Sequence, residues 1–167
     1  MTRSSSLVAF GCILACGCGG EPTAPKPPNL SGQWYLVLSM SGAAQADSAT
    51  ATCHGVLDLT LTQTDSLLSG PYAVPPIGFG CQVRADSSGL FQYGFPGTHT
   101  FSGVVSATGD LRLGTGIYPD SIALAGRASG DVWGGTASYN VRFWPGNDTV
   151  LVIVPVTGTF TLVRPQS

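Results

Sequence analysis

Leu57-Asp58-Leu59-Thr60-Leu61-Thr62 places a leucine at every second position and a polar residue between each pair. Successive side chains of a strand point to opposite faces, so this stretch has one apolar face and one wetted face. The same period of two continues in both directions. Upstream, Trp34, Leu36, Leu38 and Met40 alternate through 33–40. Downstream, Leu68, Gly70, Tyr72 and Val74 share one phase near 67–74, as do Phe101, Gly103, Val105 and Ala107 near 100–107. Leu111, Leu113 and Ile117 mark a strand near 110–117, and Ile122, Leu124, Gly126 and Ala128 mark one near 121–128. The longest run, 132–144, sets Trp133, Gly135, Ala137, Tyr139, Val141 and Phe143 against Ser138, Asn140 and Arg142. A last strand spans 149–164, bent at Pro155, with Phe160, Leu162 and Arg164 in phase.

The connections sort by length. Thr64-Asp65, Thr108-Gly109 and Ser129-Gly130 are tight-turn pairs. Residues 40–52 and 75–97 read as long loops. In an up-and-down meander alternate connections share an end, which puts the three tight turns at one end and both long loops at the other. The expected fold is therefore all-β: a small antiparallel up-and-down barrel of about eight strands, with a two-sheet sandwich as the alternative. Closure would pair the first strand with the last and remove the exposed edges. Gly70, Gly103, Gly126, Gly135 and Gly158 fall in the inward phase, where they suit strand coiling in a barrel or bulges in a sandwich.

Composition agrees with a turn-rich β protein. Of 167 residues, 23 are Gly and 12 are Pro, and only 10% are charged, against roughly 25% in a typical soluble domain. The formal net charge is -2, and Lys26, Arg84, Arg112, Arg127, Arg142 and Arg164 are scattered singly. Without a basic stripe, nucleic acid is excluded as an expected partner.

Residues 1–15 read as a signal peptide, with Arg3 ahead of the apolar stretch Leu7-Val8-Ala9-Phe10-Gly11-Cys12-Ile13-Leu14-Ala15, too short to span a bilayer. Ile13-Leu14-Ala15-Cys16 resembles the lipobox of bacterial lipoproteins. That resemblance implies cleavage before Cys16 and acylation of it with palmitate-type chains. Cys18, in Ala15-Cys16-Gly17-Cys18, is the alternative lipidation site. Residues 16–29 carry four prolines and three glycines and read as an extended, lipid-anchored tether. The folded domain is then 30–167. A lipoprotein of this kind is exported and held at a membrane of the cell envelope. Gly17 after Cys16, rather than an aspartate, points to the outer membrane of a two-membrane bacterium. In that oxidising setting Cys53 and Cys81, the only cysteines past the tether, are expected to form one disulfide.

Asn29-Leu30-Ser31-Gly32-Gln33-Trp34-Tyr35 resembles the Gly-x-Trp opening of the lipocalin and avidin-like (calycin) barrels. The resemblance implies that Trp34 plugs the barrel bottom and that Arg164, near the chain's end, packs across it. Avidins place polar biotin ligands after this motif, where this chain has Leu36, Val37 and Leu38, so biotin binding is not implied.

No catalytic constellation emerges. His54 and His99 sit in no nucleophile motif, and His99 reads as a strand-edge surface residue. Every acid after Glu21 is an aspartate, and Asp65, Asp110, Asp120, Asp131 and Asp148 occupy turns. No metal site and no cofactor are expected. The suggestive cluster is aromatic: Tyr72, Phe79, Phe91, Tyr93 and Phe95, in or beside the 75–97 loop. The expected function is a non-enzymatic binding module that holds a small apolar ligand or a partner at the long-loop end. The alternative is a structural or protein-interaction envelope lipoprotein with no small-molecule ligand.

Overall fold

The leucine ladder of 57–61 lies in the second and longest strand of a computed structural model of the protein, which describes residues 25–44, 48–74, 78–85, 89–94, 99–116, 121–129, 132–144 and 151–165. The strands are β1 (Gly32–Ala44), β2 (Ala49–Thr64), β3 (Leu67–Ala73), β4 (Gly80–Ala85), β5 (Gly89–Gly94), β6 (His99–Val105), β7 (Asp110–Gly114), β8 (Ala123–Ser129), β9 (Val132–Phe143) and β10 (Val152–Val163). All pairings among them are antiparallel. β1 pairs with β2 on one edge and with β10 on the other, so β1, β10, β9, β8, β7, β6, β3 and β2 close into an eight-stranded barrel.

β4 and β5 continue this barrel at one end. Both β3 and β4 pair with β2 on the edge away from β1, with Ala73 opposite Asp58 and Gly80 opposite His54. They are two halves of one interrupted strand. β5 and β6 answer them in the same way, β5 along β4 and β6 along β3. The meander thus has eight strands, two of them broken, and a β4–β5 extension rises from β2.

This corrects two expectations. Residues 40–52 are not a long loop: β1 continues to Ala44 and β2 begins at Ala49. Their alternation is carried by Ala49, Ala51 and Cys53, all buried between exposed Thr50 and Thr52, and small residues mark the period weakly. Residues 75–97 are not a single loop either, because β4 and β5 lie within them. In β4, buried Cys81, Val83 and Ala85 alternate with exposed Gln82 and Arg84. That run is too short to stand out between glycines and prolines. Three other strands are shorter than expected: β7 stops at Gly114, β8 starts at Ala123 and β10 starts at Val152. Ile117 lies outside the described residues.

The inward face is apolar almost throughout. Leu36, Leu38, Met40, Leu57, Leu59, Leu61, Phe101, Leu111, Leu124, Val141, Phe143, Val154, Val156 and Phe160 join one buried cluster. The outward face carries Thr, Ser, Asp and Arg between scattered apolar residues. A barrel that spans a membrane has the reverse pattern.

The inward glycines act as the coiling reading requires. A Cβ on Gly70 would meet the carbonyl oxygen of Thr60, and one on Gly158 would meet the carbonyl oxygen of Ser39. Gly126 faces Gly135 across β8 and β9, and the Phe160 ring packs over the pair, 2.7 Å from where a Gly126 Cβ would lie. The strands approach so closely only because these positions lack side chains. Gly158→Ala is therefore expected to lower stability by about 1–3 kcal/mol, as overpacking does. Gly114→Ala, whose Cβ would sit an ordinary 3.5 Å from the Ile122 carbonyl oxygen, should be nearly neutral. Urea midpoints of the two variants check this.

Candidate functional site

The two ends of the barrel are built differently. At one end are the connection between β2 and β3, the turn between β6 and β7, the short link from β8 to β9, the start of β1 and the end of β10. Here Trp34 is buried and its indole Nε1–H donates to the Leu30 carbonyl at 2.8 Å. The Arg164 guanidinium lies 4.5 Å from the centre of the Trp34 ring and donates to the Asn29 carbonyl at 3.3 Å. The structure thus brings Trp34 and Arg164 together at this end. Leu30 is fully buried, its N–H donates to Gln63 Oε1 at 2.7 Å, and the Gln63 N–H donates to Ser31 Oγ at 3.0 Å. Gln63 escaped the sequence reading because nothing in its neighbourhood signals a partner more than thirty residues upstream.

The β6–β7 turn at this end explains the displaced carboxyl of Asp110. Gly109 takes φ 83° and its N–H donates to the Ser106 carbonyl, giving the tight turn its glycine. The Thr108 hydroxyl, donating to Asp110 at 2.7 Å, is the main cause holding the Asp110 carboxyl below its ordinary value. Partial desolvation opposes it, while Arg127, Ser106 and Arg112 lower it further. A carboxyl with a lowered folded pKa stabilises above the ordinary carboxylate range and loses that contribution as pH falls through the folded value. The shift has its cause in the chemistry of the turn.

The opposite end carries the β4–β5 extension. Cys53 and Cys81 are direct register partners on β2 and β4, with Cα atoms 4.0 Å apart, and they form the expected disulfide. Of the aromatic cluster, Tyr72 on β3 and Phe79 just before β4 are buried in the core. Phe91 and Tyr93 lie on β5, opposite Val83 and Cys81. Phe95 lies outside the described residues, as do Cys16 and Cys18. The four described residues are thus split between the core and the extension.

Aromatic and polar groups meet in the interior near this end. The Tyr72 ring lies 5.8 Å from His99 and 5.0 Å from Phe101, centre to centre. Burial, and then the neighbouring Tyr139, push the Tyr72 phenol well above its ordinary pKa. His99 is not a surface residue at a strand edge: it is half-buried and faces the barrel's inner side beside Tyr72. His54, by contrast, is exposed on β2. Trp144, 56% exposed just past β9, is a further aromatic group at this end. Its position in the outward phase, one residue before Pro145, was the available signal. Among the described residues no three His, Cys, Asp or Glu side chains converge on a possible metal site.

A groove of about 760 Å³ lies on the barrel's outer wall across β6 to β10. Its floor follows one register row, Gly103, Leu113, Leu124, Ala137 and Gly158, and the outward residues of the flanking rows are mostly Ser, Thr and Ala. The inward glycines of the sequence were the clue to this indentation.

No family model, no curated protein and no solved structure matches this chain. Its class therefore rests on the fold: a closed eight-stranded antiparallel barrel, compatible with a calycin-like fold.

Two measurements check the tight-turn end. Arg164→Ala should cost about 0.5–2 kcal/mol, the value of a cation over an indole face, read from urea unfolding followed by indole fluorescence. Asp110→Asn should lower the urea midpoint near neutral pH, and the gap from the parent should close as pH falls through the lowered folded pKa of Asp110.

Proposed function

We propose that this protein is an exported, lipid-anchored envelope lipoprotein whose barrel is a non-enzymatic binding module. It holds a partner protein of the envelope at the end opposite its tether. The observation that carries this reading is the β4–β5 extension, two extra strand segments built on β2 beyond the closed ring and bonded to it through Cys53 and Cys81. Structure of this kind has no role in closing the barrel. It lies at the end away from residues 25–31, which run in beside Trp34. An anchor at Cys16, with Cys18 as the alternative, would leave the extension facing away from the membrane, the outer membrane in a two-membrane cell.

A protein partner is favoured over a small apolar ligand inside the barrel because the inward side chains pack together into one buried cluster. The ligand reading keeps one observation in its favour: Tyr139 and His99 are only half-buried beside Tyr72. Kinship with lipocalin and avidin-like barrels belongs with this proposal. It is supported by the Gly32-x-Trp34 opening and by Arg164 stacked over the Trp34 ring.

Two experiments in the native host test the reading. Cys16→Ser should abolish incorporation of an alkynyl palmitate and release the protein from membranes, while Cys18→Ser should leave both intact. A photo-crosslinking residue at exposed Gln82 on β4 should capture a discrete protein adduct, and one at exposed Ser66, in the β2–β3 connection, should not. Adducts at neither position, with a small molecule retained in native mass spectrometry, would replace the partner reading by the ligand one.

A further inference from the structure

The two ends of this barrel are joined by a continuous mechanical route. At the tight-turn end the lead-in residues are fastened by the buried Leu30, by its N–H to Gln63, by Ser31 Oγ to the Gln63 N–H and by Asn29 to Arg164. β1 then runs the height of the barrel between two ladders. One pairs it with β2 from Gly32↔Leu61 to Ala44↔Ala49, the other with β10 from Tyr35↔Val163 to Ser41↔Thr157. Near the far end Met40, Cys53, Cys81 and Tyr93 occupy one register row across β1, β2, β4 and β5. The disulfide lies in the middle of that row.

We propose that the fold is a load-bearing link, in which a pull between the lead-in residues and the β4–β5 extension is carried in shear along β1 and β2. The proposal rests on the lipoprotein and partner reading only for the source of the pull. The physics is that of antiparallel ladders, whose hydrogen bonds lie perpendicular to the strands. A pull along the strand axis strains the bonds of the β1–β2 ladder together, and they must fail together. The extension cannot slip from β2 first, because Cys53 and Cys81 join β4 to β2 covalently. The geometry between the two chain ends is the opposite. β1 and β10 are antiparallel, so the start of one and the end of the other emerge side by side at the tight-turn end. Pulling those two apart opens the β1–β10 seam from Tyr35↔Val163 upward, one pair at a time. The same barrel is therefore strong along the line from tether to extension and weak between its two ends.

Single-molecule stretching of the full chain tests this, with azide-bearing handle residues at Lys26 and Gln82 in one preparation and at Lys26 and Pro165 in another. The Lys26–Gln82 pair should rupture at a force at least twice that of the Lys26–Pro165 pair. Adding reductant to molecules held under load should lower the first force and leave the second unchanged, and the double variant Cys53→Ser, Cys81→Ser should do the same. Equal forces in the two geometries, or a Lys26–Gln82 force that ignores loss of the disulfide in both tests, would overturn the proposal. Because the handles replace both anchor and partner, that failure would leave the binding reading standing. Likewise, failure to crosslink a partner would leave these forces as they are.

Discussion

β1 takes hydrogen bonds on both edges, from its sequence neighbour β2 and from β10 at the far end of the chain. The rest of the fold depends on that double pairing. Without the β10 ladder the sheet would be open, and β1 and β10 would each present a row of unpaired backbone groups. The apolar phase of every strand would then have no enclosed space to fill. With it, Leu36, Leu38 and Met40 meet Phe160 and Leu162 across the closing seam and the interior becomes one buried cluster. Closure also makes the seam a highly non-local pairing, joining Tyr35 to Val163. A chain of this topology should pay its loop-closure entropy late and fold slowly.

Closing a ring this tightly requires strands that bend, and the inward glycines provide for it. Where a Cβ would strike a neighbouring strand's carbonyl, as at Gly70 and Gly158, two backbones come together that side chains would hold apart. The Phe160 ring occupies the space over Gly126 and Gly135, so a large residue on β10 compensates two missing side chains on β8 and β9. The outer groove is the other face of the same arrangement, since its floor includes Gly103 and Gly158. One set of residues thus sets both the interior packing and the outer relief.

The barrel was legible in the sequence because its strands mark their period with large residues. Leucines at 57, 59 and 61 and the alternation through 132–144 leave little choice of phase, and Trp34 with Arg164 could be paired from a short motif. The extension was not legible. Ala49, Ala51, Cys81, Val83 and Ala85 bury one face as regularly as the leucines do, but alanine and cysteine contrast weakly with threonine and glutamine between them. The interruption of one long strand between Ala73 and Gly80 hid the fact that β3 and β4 follow each other along β2. The aromatic cluster does not stay together in the fold. Tyr72, in the inward phase of β3, and Phe79, just before β4, are both buried.

The disulfide then has a clear structural meaning. Cys53 and Cys81 sit where β4 follows β3 along the edge of β2, so the bond fastens β4 to a strand that β1 still pairs on its other side. Closing a 28-residue separation should stabilise by roughly 3–4 kcal/mol in the chain-entropy model. Both cysteines are buried, so a reductant reaches the bond only through local opening of the extension. β4 needs that reinforcement because its other neighbour, β5, pairs with no further strand among the described residues. A small sheet segment with one supporting strand is marginal alone. Bonded to β2, it stands on the same ladder that fastens the lead-in residues at the opposite end.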